Sequence, residues 1–223
     1  MILSRGRNYL FLHIPKTGGT ALALALEARA MKDDILVGDT PKARARARRQ
    51  KRLQTAGRLW KHSTLADLDG LVTTGDLDRL FILTLVRNPW DRAVSYYHWL
   101  RAQSFAHAAV ELARNLTFRD FLAHPLTENA LSHHPAASWT RDRGGQDRAT
   151  LCLRLEYLDH DIAPFEAHLG FSLAPIARAN PSERDRDWRR YYDDENAARL
   201  AKICAEDISR FGYGFDDFDE HSG

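Results

Sequence analysis

The 223-residue chain carries 32 Lys and Arg against 30 Asp and Glu, a formal net charge of +2, and 44% of its residues are hydrophobic. That balance suits a globular protein and excludes one that coats polyanions over its whole surface. A chain of this length buries roughly 70% of its unfolded surface, so it needs no disulfide or metal staple, and a single domain over residues 1–223 is expected.

Residues 8–14, NYLFLHI, form a short apolar run ended by Pro15 and read as a buried strand. After a Gly-containing turn comes TALALALEARA. Its Ala-Leu alternation has the period of a strand, but Ala and Leu are strong helix formers and no β-branched residue follows Thr20. A mostly buried helix is expected, with Leu22 and Leu26 on one stripe. Residues 41–61 are basic, Ala-rich and expected to be helical. KARARARRQKR (42–52) holds seven basic residues and no acid, while DDFDE near the C-terminus is acidic. In HSTLADLD (62–69), Thr64 and Asp67 have capping-box spacing.

LFILTLV (80–86) is nearly all apolar, as in a parallel strand buried on both faces. In RNPWDRAVSYYHWL, Asn88 suits a cap, Pro89 the first helical position and Asp91 the first turn. One or two helices are expected around 105–123, then a polar loop at RDRGGQD. TLCLRL (150–155) reads as a third strand, followed by a helix around 159–169. A last helix is expected over 193–211, stopped by Gly212. Strands alternating with helices indicate an α/β fold, a P-loop-like three-layer α/β/α arrangement around a central, mostly parallel sheet. Cys152 and Cys204 lie far apart and read as reduced, buried thiols. No stretch approaches the roughly 18 apolar residues of a membrane span, and no leader pattern opens the chain. A cytoplasmic protein without a membrane segment is expected.

FLHIPKTGGT (11–20) has the chemistry of an anion cradle. A strand, a glycine-rich turn and a helix present unpaired N–H groups and a positive dipole end. Gly18 and Gly19 let an anion approach the backbone, Lys16 adds a full charge, and Thr17 and Thr20 add hydroxyls. The order differs from a Walker A loop, in which lysine follows the glycines. The second strand also ends on a cation, Arg87, with Ser95 two turns into the next helix, so a ligand with phosphates at two positions would suit the pair of strand ends.

HIPKTGGT (13–20) followed by LVRNPWDRAVSYY (85–97) resembles the PAPS-dependent sulfotransferases, most of all the carbohydrate O-sulfotransferase branch that includes heparan sulfate 2-O-sulfotransferase and bacterial relatives. Weaker echoes lie in KHSTLADL (61–68) and in residues 191–215. The resemblance implies 3′-phosphoadenosine 5′-phosphosulfate (PAPS) as cosubstrate and 3′,5′-ADP as product. It implies that Pro15, Lys16, Thr17, Gly18, Gly19 and Thr20 form the 5′-phosphosulfate loop, and that Arg87 and Ser95 hold the 3′-phosphate. A bacterial-type member with a saccharide hydroxyl as acceptor follows from the same likeness.

Sulfuryl transfer needs a base for the hydroxyl proton, a cation for the leaving phosphate oxygen and donors for the sulfuryl oxygens. No metal is required, and no metal-ligand cluster stands in the sequence. Lys16 is the expected leaving-group cation. His62 is the expected base, since an imidazole titrates near neutrality and the resembled family has a catalytic histidine in this region. His13 reads as structural, His133 and His134 as a pair in a loop that could line the acceptor cleft, and Glu156 as a capping or surface carboxylate. For Arg87 the plain alternative is pairing with Asp91. For residues 42–52 it is a solvated helical face, against a landing strip for an anionic glycan; nucleic acid is disfavoured because no aromatics interleave the charges. Trp90 and Tyr97, seven apart, are expected to pack inward. The rival functions are a P-loop nucleotide kinase, disfavoured by the reversed lysine, and a non-catalytic anion- or glycan-binding module. Whether Asn180 or Arg184 closes over the nucleotide is left open.

Overall fold

The computed structural model describes residues 1–177, 179 and 184–217. These fold as two compact units, one formed by Met1–Val86 with Ala136–Ala179 and the other by the remaining described residues. In chain order the strands are β1 (Ile2–Ser4), β2 (Tyr9–Leu12), β3 (Ile35–Leu36), β4 (Phe81–Val86) and β5 (Leu151–Arg154). The helices are α1 (Gly19–Ala28), α2 (Pro41–Gln50), α3 (Thr74–Leu77), α4 (Pro89–Arg101), α5 (Ala108–Asn115), α6 (Phe118–Ala123), α7 (Pro125–Ser132), α8 (Ala137–Thr140), α9 (Leu158–Asp161), α10 (Ala163–Leu169), α11 (Asp194–Ile203) and α12 (Ala205–Phe211).

The first unit holds a five-stranded sheet in the order β3-β1-β2-β4-β5. β2, β4 and β5 run parallel, with Phe11 opposite Leu83 and Leu83 opposite Leu151. β1 is antiparallel to both β2 and β3. The alternation of side chains along each strand divides the core in two. Ile2, Tyr9, Phe11, Leu83 and Leu85 face α1 and α10, where Leu22, Leu26 and Phe165 cover them. Leu3, Leu10, Leu12 and Ile82 face the other way, under Leu65, Leu68, Leu71 and Val72. With both faces of the sheet covered, the parallel strands are mostly apolar, as expected of a buried parallel sheet.

α1 forms where the alternating sequence would suggest a strand. At 100° per residue the alternation sends Leu22 and Leu26 to the sheet and leaves Leu24 42% exposed. β1 and β3, too short to show periodicity, escape a sequence reading. β2 is shorter than the 8–14 expected, and the helix expected over 41–61 stops at Gln50. The capping box before Leu68 is present: Thr64 N–H donates to Asp67 Oδ2 (2.8 Å) and Asp67 N–H to Thr64 Oγ1 (3.2 Å). It opens only a single 3-10 turn.

The second unit is helical among its described residues. Trp90 and Tyr97 of α4 are buried, as expected. Trp90 stacks on Trp188 and meets Phe215 edge-on, and its indole N–H donates to the Ala197 carbonyl (3.0 Å). The Tyr97 hydroxyl donates to the Leu116 carbonyl (2.8 Å). The single helix expected over 193–211 is interrupted at Cys204, giving α11 and α12, and Gly212 ends it at φ +69°. Neither cysteine forms a disulfide among the described residues, and both are half-buried rather than fully buried. No helix is long and apolar enough to cross a membrane among the described residues.

Candidate active site

The turn after β2 has an uncommon backbone. Lys16 lies at φ +67° and Gly18 at φ +78°, flanking Thr17. A left-handed lysine costs on the order of 1 kcal/mol or more, and such outliers gather at ligand-binding turns. Residues of alternating hand make successive N–H groups converge into an anion-binding concavity, and this one leads directly into the N-terminus of α1. The Thr17 hydroxyl does not add to it as a donor. Thr17 is 1% exposed and its hydroxyl donates to the Ile14 carbonyl (2.9 Å), closing the turn. Thr20, in the first turn of α1, is half-buried.

The two glycines have reasons beyond anion approach. A Cβ on Gly18 would stand 2.6 Å from Leu155 Cδ1 at a positive φ, and one on Gly19 would stand 2.6 Å from His13 Nε2. The turn is therefore packed from beneath by Leu155 and His13.

His62 lies beside this turn in the same unit. Its Nδ1 is 2.6 Å from the His13 carbonyl oxygen. A carbonyl only accepts, so Nδ1 carries the proton and Nε2 keeps its lone pair. The His62 ring meets His13 at 4.8 Å and Trp60 at 5.1 Å, both edge-on. Burial pushes its pKa down to about 4, against the upward effect of the bond to the His13 carbonyl, and the Lys61 charge lowers it further. The imidazole is thus neutral at physiological pH. Burial also holds His13 well below the usual histidine range.

In the second unit Arg87 pairs with Asp91, as its plain reading expected. Its Nε donates to Asp91 Oδ2 at 2.7 Å, with the terminal nitrogen at 2.6 Å. Arg184, missed as a partner by sequence reasoning, bonds the other oxygen of the same carboxylate. One carboxylate thus bridges two guanidinium groups, held in place by charge-assisted bonds. Ser95 is 4% exposed on α4, two turns along. Asn180 lies outside the described residues.

The remaining sequence candidates disperse. His133 ends α7 and bonds the Asn129 carbonyl through Nδ1 (2.9 Å), while His134 lines a cavity of about 150 Å³ with Arg92 and Lys202. Glu156 sits on the short 3-10 turn after β5. Of the basic run, Lys42, Arg46 and Arg49 donate to the carbonyls of Glu27, Met31, Lys32 and Asp34, which anchors α2 to its own unit. Arg44 and Arg48 lie exposed one turn apart, and Lys51 and Arg52 continue past the helix end. Lys61, next to His62, bonds Asp39, whose carboxyl is held below its usual range first by that bond and then by the charges of Lys61 and Arg44. Trp60 is 38% exposed, with the Arg58 guanidinium over its ring at 5.1 Å. Among the described residues no three His, Cys, Asp or Glu side chains are grouped to hold a metal ion.

The model of the family described as "Sulfotransferase family" (Sulfotransfer_2) matches residues 1–214. The chain belongs to the sulfotransferase family. As a sulfotransferase it moves a sulfuryl group, and the kinase reading loses its support. No curated protein matches it. Among solved structures it is similar to mouse sulfotransferase SULT7A1 complexed with PAP, at 21% identity and a TM-score of 0.46, with 91% of this sulfotransferase and 84% of that chain covered.

Proposed function

We propose that the protein transfers the sulfuryl group of PAPS to a saccharide hydroxyl, in line, with His62 as general base and Lys16 as the cation facing the leaving group. The observation that carries this reading is the left-handed Lys16–Thr17–Gly18 turn at the head of α1, with a neutral His62 in the same unit. In the reaction the acceptor oxygen bonds to sulfur as the bond from sulfur to the 5′-phosphate oxygen breaks. The acceptor proton passes to Nε2 of His62, the only ring nitrogen with a lone pair. The charge left on 3′,5′-ADP is taken by Lys16 and the converging N–H groups of residues 16–20. No metal enters this scheme.

Arg87, oriented by Asp91, is assigned to the 3′-phosphate together with Ser95. A cation held by a carboxylate needs little reordering when a phosphate arrives. The acceptor is assigned as an anionic saccharide because Arg44, Arg48, Lys51 and Arg52 offer exposed charge along α2 and just past it, and Asp39, paired with Lys61 beside His62, stands two residues before that helix. Catalysis in the cytoplasm of a bacterium agrees with the same reading.

Calorimetric titration with 3′,5′-ADP, AMP and ATP tests it. The expected result is binding of 3′,5′-ADP well ahead of both controls. Arg87→Ala should weaken it by about tenfold to a hundredfold, the worth of one or two charge-assisted bonds. Equal binding of AMP and 3′,5′-ADP would remove the two-phosphate assignment.

A further inference from the structure

His13 was read from the sequence as a structural residue, yet it touches both halves of the proposed chemistry. Its carbonyl holds the Nδ1–H of His62. Its ring meets the His62 ring at 4.8 Å and occupies the space into which a Cβ on Gly19 would project. Phe11 stacks on it at 5.8 Å, so the ring is packed among these neighbours as an apolar wedge. Gly19 is the first residue of α1, inside the turn assigned to the phosphosulfate.

We propose that His13 is the positioning residue that joins the anion-binding turn to the base. Its carbonyl selects the His62 tautomer that leaves Nε2 unprotonated, and its ring transmits any displacement of the turn at Gly19 to the His62 imidazole. Donor occupancy of the turn and orientation of the base are then one event, which ties readiness of the base to the presence of donor. The inference rests on the proposed donor site for its ligand, but not for its tautomer. The ring acts by shape here, so phenylalanine should replace it and alanine should not. The close packing also gives position 19, which has no positive φ, a reason to be glycine.

The test is long-range proton–nitrogen NMR of the His62 ring in the full chain, with and without 3′,5′-ADP, in the wild type, His13→Ala and His13→Phe; His62→Gln assigns the signal. Wild type should show a single Nδ1–H tautomer whose ring signals move on saturation with 3′,5′-ADP. His13→Ala should bind 3′,5′-ADP within about threefold of wild type, keep the single tautomer, since the backbone carbonyl remains, and lose the response. His13→Phe should restore the response. A His13→Ala protein that keeps the response overturns the inference, as does a His13→Phe protein no better than the alanine variant. Should His13→Ala not fold, Gly19→Ala, which presses on the same ring, must abolish the response at 3′,5′-ADP concentrations shown by calorimetry to saturate that variant, or the inference fails. If 3′,5′-ADP does not bind wild type, the donor-site reading falls. The ligand-free tautomer of the wild type then decides the carbonyl's role alone: a ring protonated on Nε2 in place of Nδ1 overturns it.

Discussion

Gly19→Ala puts the packing of the turn to a quantitative test. The new methyl carbon would stand 2.6 Å from His13 Nε2 and closer still to Cδ2, and the ring must recede by about 1 Å to reach ordinary contact at 3.4 Å. The ring is in contact with His62 and Phe11, so a retreat toward either displaces it. Overpacking of this kind costs about 1–3 kcal/mol. Alanine returns up to about 1 kcal/mol as a better helix former. The net loss is about 1 kcal/mol, or a Tm lower by about 2–4 °C in a chain of this size. Activity should suffer more than stability, because a base displaced by close to 1 Å costs up to about a hundredfold in rate. Thermal denaturation measures the first effect, and transfer of radiolabelled sulfate from PAPS to an accepted saccharide measures the second. A variant as stable and as fast as wild type would show that His13 has room to move and that the wedge does not exist.

The burial of His62 also sets a pH dependence. With a folded pKa near 4, below the ordinary histidine value, the base is competent above that pH and lost as pH falls through it. The acid limb of kcat/KM for PAPS should therefore lie near 4. Each donor charge at on the order of 10 Å, through an effective dielectric of about 20, raises it by about one unit, so the limb of kcat should lie higher than that of kcat/KM. Stability should rise with pH from about 4 to 6.5, since the unfolded histidine binds the proton that the folded one refuses. A kcat limb at or below that of kcat/KM would count against His62 as the base. Exchanging Arg44 and Arg48 for glutamate should raise KM for an anionic saccharide by about tenfold or more and leave 3′,5′-ADP affinity unchanged. Equal KM values at low salt would return α2 to the role of a solvated helix.

The order of elements was largely legible. The apolar run of β4, the Asn88-Pro89 opening of α4 and the Gly212 stop each rest on a local preference that the tertiary structure leaves undisturbed. β1 and β3 were not legible, because two or three residues carry no period and are strands only through their partners. The break at Cys204 divides a segment whose apolar spacing runs unbroken across it. Asp91 was visible as a neighbour of Arg87 on the chain, but its second arginine, 93 positions away, was not.

At the site the division is sharper. Residue types and spacing alone determined that a lysine and two glycines stand at a strand-to-helix turn and that a histidine follows a basic stretch, because such chemistry is written in local sequence. The left-handed backbone of Lys16, the tautomer of His62 and its lowered pKa were decided by tertiary structure. The tautomer and the lowered pKa depend on partners distant in the chain: the His13 carbonyl, 49 residues from the ring it orients, and the packing that partly buries both histidines. A proton's position and a desolvation cost belong to an environment, and an environment exists only once the chain has folded.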